Sequence, residues 1–264
     1  IYYTKKGTGS PTLLIHDTLP GASGYEWSKI EDELAIDHTV YTVDLLGCGR
    51  SDKSSITYTN FVYVQMISDF IKKIIGQKTD VIASGFSGSF VTMACHNEKE
   101  LFNKIMLVNP PSLTQLKQMP NRKDRLLKAA LEIPIFGTLV YHMIVSRDNI
   151  NNLFIEKMYY NPFHVDNQMA DAYYEAAHKG GYYTRFLYSS LAAKYININI
   201  CHALKALDNS IYIVEGETEP NGKAVTDDYC ASNPAIEVSV LKETKHLPHV
   251  EAPEAFLEQV KIFF

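Results

Sequence analysis

A serine stands at the centre of Gly85-Phe86-Ser87-Gly88-Ser89, between the apolar, strand-length run Asp80–Ser84 and a stretch of helical character reaching Ala94. Small residues two before and two after it make the pattern small-x-Ser-x-small, that of a nucleophile elbow, in which a tight turn lifts a hydroxyl above a sheet. A seryl hydroxyl is a poor nucleophile at neutral pH, so such a turn implies a base to take its proton and an acid to orient that base. Serine-rich turns are common, and it is the strand-turn-helix context that favours chemistry here. Metal chemistry is not indicated, because His16, His38, His96, His142, His164, His178 and His202 form no ligand-spaced cluster. Cys48, Cys95, Cys201 and Cys230 lie far apart with no CxxC pair. They read as reduced, packed thiols of an intracellular protein.

The elements that must position Ser87 follow from the apolar runs. Thr12–His16, Val40–Asp44, Asp80–Ser84 and Lys104–Asn109 are strand-length and nearly continuous in Val, Ile and Leu, as strands buried on both faces are. Asn60–Ile75 places Val64, Ile67, Phe70, Ile71, Ile74 and Ile75 on one helical stripe, with Gly76 as its stop. Strand-helix alternation predicts an α/β fold with right-handed crossovers. From Ser112 to about Lys205 the pattern is helix or loop; strands resume at Ile211–Val214 and Ile236–Leu241, and an amphipathic helix begins near Pro253. With 264 residues the chain can bury a full core, and its formal charge of −5 lacks the basic footprint of nucleic-acid binding. No apolar run reaches the roughly 18 residues of a membrane span, and Ile1–Lys6 is not a signal peptide. A cytoplasmic protein, monomer or dimer, is the expectation.

Five segments together resemble the α/β-hydrolase fold superfamily. They are Leu13–His16, Asp44–Asp52, the Ser87 turn, Gly216-Glu217-Thr218-Glu219, and His246–Pro253, and their chain order of nucleophile, acid, histidine is that family's order. The resemblance implies a mostly parallel central sheet flanked by helices with an inserted helical cap, the core being 1–111 and 206–264 and the cap 112–205. It implies a triad of Ser87, His246 as general base and Glu219 as acid; Glu217 and His249 are the neighbouring alternatives. It implies an oxyanion hole from the backbone N–H groups of Thr18 and Gly88, with His16 supporting the loop. The chain departs from the family pattern in having His16-Asp17 where His-Gly is usual. A carboxylate facing a developing oxyanion would be costly, so Asp17 should point away.

Nine of the 17 tyrosines fall in 112–205, and a cap so lined would roof an apolar pocket. Tyr159, Tyr173 and the sole tryptophan, Trp27, are the candidate pocket residues, although packing explains any one of them as well. Lys117, Arg122, Lys123, Arg125 and Lys128 form a basic patch that reads as a solvated helix face, or as a surface for an acidic substrate or a membrane. The expectation is a serine hydrolase, without cofactor or metal, cleaving a small or medium carboxylic ester through an acyl-enzyme on Ser87. A nucleophilic serine argues against epoxide or halide substrates. A thioester, amide or carbon–carbon bond hydrolase with the same triad is an alternative, and so is a non-hydrolytic small-molecule receptor or lyase on the same fold.

Overall fold

The runs rich in Val, Ile and Leu pair into one seven-stranded sheet. The computed structural model describes residues 1–264. Its strands are β1 (Tyr3–Lys6), β2 (Ser10–Ile15), β3 (His38–Val43), β4 (Thr79–Ser84), β5 (Phe102–Val108), β6 (Ile211–Gly216) and β7 (Glu237–Leu241). They lie in the order β1-β3-β2-β4-β5-β6-β7, and every pairing is parallel except that of β1 on β3. The expected architecture, a mostly parallel sheet flanked by helices, is what the chain forms.

Residue parity sorts the core into two layers, because successive side chains of a strand point to opposite faces. Leu13, Ile15, Val81, Ala83, Ile105 and Leu107 enter one layer, and Leu14, Ile82, Met106 and Val108 the other. At roughly 1.5–3 kcal/mol for each large aliphatic side chain removed from water, these strands hold the sheet between its helices. The first layer also takes the helices Asn60–Phe70 and Ser87–Asn97. Asn60–Phe70 starts under Thr59, whose hydroxyl accepts the Val62 N–H, and buries Tyr63, Val64, Ile67 and Phe70. It runs on through a π turn, Ile71–Ile75, and stops at Gly76 with φ +75°. The wider turn rotates the register, so Ile74 is exposed although a 3.6-residue period places it on the buried stripe. The second layer takes Trp27, Ile30 and the closing helix Pro253–Phe263, which buries Phe256 and Val260.

Two elements escape the periodicity. One is β1, a four-residue, largely exposed edge strand ending in two lysines; the other is the helix Gly222–Ser232, whose apolar residues are sparse. Between β5 and β6 the longer helices are Arg122–Glu132, Phe136–Ile144, Asn167–His178 and Thr184–Ala192. A third cluster around Phe154, Met169 and Tyr173 also takes in Ala22, Leu247 and Val250, from the loops after β2 and β7. That shared packing seats the helical segment on the rim where those loops emerge. No single helix is long and apolar enough to cross a membrane.

Candidate active site

The central strands end level with one another: Ile15 pairs with Ala83, Ser84 with Val108, and Val108 with Val214. Residues just past these ends share one rim, where open parallel sheets bind ligands. The sharp turn after β4 has its positive φ at Gly85, +53°. Ser87 comes two residues later, as the first residue of the helix, and is completely buried. Its Oγ donates to the Ser84 carbonyl at 2.7 Å, with the Ile15 carbonyl as a second acceptor at 3.3 Å. The expected nucleophile is therefore turned into the protein, with no hydrogen bond to His246. The frame that the backbone sets is Ala83-Ser84-Gly85-Phe86-Ser87, small at both ends and without a side chain at its centre.

The carboxylate of Asp17 fills the space above Gly85. A Cβ on Gly85 would lie 2.2 Å from Asp17 Cγ and 2.4 Å from both carboxylate oxygens. Asp17 Oδ1 accepts the Thr18 N–H at 2.6 Å and the Phe86 N–H at 2.8 Å, while Oδ2 lies 3.5 Å from His246 Nε2. Phe86 immediately precedes the helix Ser87–Asn97, so the positive end of that helix also faces the carboxylate. Asp17 thus points inward, against expectation, and two N–H groups together with a cation offset the cost that argued otherwise. The N–H of Thr18, an expected donor, points at Asp17 Oδ1. Its partner is Phe86 rather than Gly88, whose N–H is engaged by the Gly85 carbonyl at 3.2 Å.

His246 and Glu219 are brought together, with Nδ1 3.2 Å from Oε1. Glu217 lies elsewhere, its Oε2 accepting the Glu243 N–H at 2.9 Å. The loop carrying His246 is held by its own N–H on the Met158 carbonyl, 3.1 Å, and by Asn109. Asn109, at φ +43°, donates from Nδ2 to the carbonyls of Lys245 and His246 and accepts the Gly216 N–H, fastening the loop after β7 to β6. Burial works against a charged imidazole, but hydrogen bonds and charge from Asp17 and Glu219 outweigh it and push the His246 pKa from 6.5 up to about 10. At neutral pH this imidazole is a cation, a proton donor rather than a base.

His249 has a different environment. Its Nε2 lies 3.3 Å from Glu26 Oε1 with both side chains fully buried, and its ring stacks on Trp27 at 4.2 Å. Burial drives the Glu26 pKa up, but His249, His16 and Ser84 more than offset this and hold it below the usual carboxylate range. Glu26 also accepts the Asp17 N–H at 3.4 Å. His16 supports the same loop, Nδ1 meeting the Asp17 carbonyl at 2.6 Å and Nε2 accepting the Leu45 N–H at 3.0 Å. Trp27 is thus a packing residue. Tyr159 and Tyr173 are also buried, each against Phe154. None of the three lines the cleft at His246.

That cleft, of about 520 Å³, is lined at the rim by Asp17, Gly85, Phe86, Glu219 and His246, and from the helical segment by Leu153, Lys157 and Met158. Glu215 also lines it, nearly inaccessible and with Oε2 unpartnered. Burial, and then the charge of Glu219, raise the Glu215 pKa, with Thr226 opposing. Three carboxyl groups against His246 and Lys157 make the cleft hospitable to neutral or cationic ligands rather than anions. No three His, Cys, Asp or Glu side chains are grouped to hold a metal ion. Sequence reasoning missed Asp17, Gly85 and Asn109. A glycine where the elbow demands positive φ, together with an aspartate in the loop opposite, was the available signal.

Residues 13–259 match the sequence profile of the "Alpha/beta hydrolase family". The 2-hydroxy-6-oxo-6-(2'-aminophenyl)hexa-2,4-dienoic acid hydrolase of Metapseudomonas resinovorans is 29% identical over 113 residues, 42% of this chain and 39% of that protein. The soluble epoxide hydrolase of Corynebacterium sp. (strain C12) is 24% identical over 109 residues, 41% of this chain and 37% of that protein. This chain thus aligns with less than half the length of either relative. A solved meta-cleavage product hydrolase from Pseudomonas fluorescens IP01 superposes with a TM-score of 0.78 at 19% identity, covering 99% of this chain and 93% of that one, a likeness of fold. The profile spans nearly the whole chain, and sheet order, elbow and histidine loop agree with it: the protein belongs to the alpha/beta hydrolase family.

Proposed function

We propose that this is a hydrolase in which Asp17, in place of a serine, carries the covalent intermediate, and that its substrates are epoxides. The observation behind this reading is the placement of Asp17 over Gly85, one oxygen held by two N–H groups and the other turned to His246. A carboxylate so held can attack with Oδ2 while Oδ1 stays in its cradle. Attack at a ring carbon forms an ester bond to Asp17 and breaks the ring C–O bond, leaving an alkoxide. The His246 cation gives the alkoxide its Nε2 proton and becomes neutral. Esterification also removes one of the two charges that kept His246 protonated, so the imidazole can then act as a base.

Water, giving a proton to His246, next attacks Asp17 Cγ. Negative charge develops on Oδ1, where the N–H groups of Thr18 and Phe86 already point. Collapse breaks the ester bond, the departing alkoxide takes the proton of the new carboxylic acid, and the Asp17 carboxylate and His246 cation are restored. Epoxide and water have become a diol. Carboxylic esters, thioesters, amides and carbon–carbon bonds next to a ketone suit the site less, because their carbonyl oxygen needs the two N–H groups that Asp17 engages. The objection to epoxides rested on Ser87 as nucleophile and falls with its burial.

Single turnover of phenyloxirane in heavy-oxygen water tests this reading. Hydrolysis at Cγ puts heavy oxygen into the Asp17 carboxylate, where mass spectrometry of the peptide finds it. Heavy oxygen in the diol alone, or ester turnover with a fluorophosphonate label on a serine, would overturn it. A second reading, a non-hydrolytic small-molecule binding protein, is favoured by one fact: both N–H donors have a partner before any ligand arrives. Ligand binding without turnover of epoxide, ester or thioester panels would favour that reading.

A further inference from the structure

The helices Arg122–Glu132 and Phe136–Ile144 meet at 97°, and the faces they turn outward are apolar. On the first, Leu126 stands outward, and Ile133 follows just past the helix end; on the second, Phe136, Leu139 and Met143 follow at i, i+3 and i+7. Each is more than half exposed: Leu126 71%, Ile133 51%, Phe136 52%, Leu139 60% and Met143 70%, with Ile135 at the corner 78%. Ile135 adopts φ +67°, which β-branched residues rarely take, and at the corner its side chain stands out into solvent. These helices are not short of inward packing. Leu131 and Tyr141 are buried, and Gly137 approaches so closely that a Cβ there would meet the Leu131 carbonyl oxygen at 1.8 Å. The outward stripe is therefore surplus to the core, and proteins seldom leave six large apolar side chains together in water without a partner.

Charge identifies the partner. Arg122, Lys123 and Arg125 are exposed beside the stripe, while the ion pairs of this helix are made by Lys128 with Glu132 and by Asp124 with Lys194. Three cations are thus left without an acidic partner on a chain of net charge −5. A second copy docked face to face would bring three cations against three, since a two-fold interface apposes the same patch on both partners. An anionic bilayer surface accommodates both features, with headgroups for the cations and the acyl boundary for the apolar stripe. We infer that this helical corner docks on anionic membranes, lying in the interface without crossing it, with Ile135, Phe136 and Leu139 at its deepest point.

Flotation of the 264-residue chain with vesicles tests this. The protein should rise with equimolar phosphatidylglycerol–phosphatidylcholine vesicles, stay down with phosphatidylcholine alone, and be released by high salt. Leu139→Asp with Met143→Asp should abolish flotation while leaving the thermal transition unchanged, since both positions are exposed. Replacing Arg122, Lys123 and Arg125 by Gln should weaken binding about fivefold per charge. Failure of the parent chain to float with anionic vesicles, or undiminished flotation of the Asp variant, would overturn the inference. So would a dimer in analytical ultracentrifugation that Leu139→Asp dissolves, with no vesicle binding, because the face would then belong to a second copy.

Discussion

His246 and His249 sit three residues apart, and each faces a glutamate at nearly the same distance, 3.2 Å and 3.3 Å. Their surroundings set them apart. His249 and Glu26 are sealed against Trp27, beside the loop after β2. The His246 side chain is 19% exposed, opens on the cleft and has a second carboxylate, Asp17, on its other nitrogen. A histidine–carboxylate pair is therefore not in itself a sign of chemistry. Access and a third group at the opposite nitrogen separate machinery from scaffold.

The largest effect is expected where that third group is removed. Asp17→Asn leaves His246 with a single carboxylate, as His249 has, and an amide oxygen can still accept both N–H groups. Epoxide turnover should fall by roughly 10⁴-fold or more, as for loss of a nucleophile, with the thermal transition nearly unmoved; steady-state rates and calorimetry check the two halves. His249→Phe should do the reverse. It takes the main partner from the buried Glu26 carboxylate, at a cost of up to roughly 3–5 kcal/mol, which denaturant unfolding would read. The pH profile of the reaction should keep its shape.

Proton linkage sharpens the contrast next. Folding raises the His246 pKa from 6.5 to about 10, so the folded chain holds that proton more tightly than the unfolded one. This contribution to stability is whole below pH 6.5, declines as pH rises, and is lost once pH passes about 10. Urea midpoints should fall across that window, less steeply in Asp17→Asn. The epoxide reaction needs the same proton, so its rate should also fall above the upper limit. The smallest effect belongs to Ser87→Ala. Losing one buried hydroxyl bond should cost about 1 kcal/mol in urea unfolding and leave turnover intact; a large loss of turnover would return Ser87 to the chemistry.

The sheet was legible because buried parallel strands must be apolar throughout, as Val81, Ile82 and Ala83 are, and because turn residues bound these runs at strand length. The closeness of His246 and Glu219 was legible through the family resemblance, which places both residues in loops that follow neighbouring strands, β7 and β6. The centre of the turn was not. Small-x-Ser-x-small fits Ser87 as written, and only the backbone angle at Gly85 shows that the turn is centred two residues earlier. Asp17 turns inward for a related reason: charge arithmetic weighed a carboxylate against a developing oxyanion, whereas here the carboxylate itself takes the two N–H groups. Trp27, Tyr159 and Tyr173 were misread because large aromatic residues serve cores and pockets equally well, and composition does not tell which way they face.

The 2.2 Å that would separate a Cβ on residue 85 from Asp17 Cγ bears on which pairs of residues the two positions can hold together. Introducing serine at 85 alone drives two groups into one volume, on a backbone at φ +53° that already disfavours a side chain. Introducing glycine at 17 alone empties the cradle, leaving the Thr18 and Phe86 N–H groups without their carboxylate. Gly85→Ser together with Asp17→Gly removes that overlap and leaves the Thr18 and Phe86 N–H groups open. The two positions, 68 residues apart in the chain, therefore share one volume, and a side chain at 85 and a carboxylate at 17 are alternatives rather than additions.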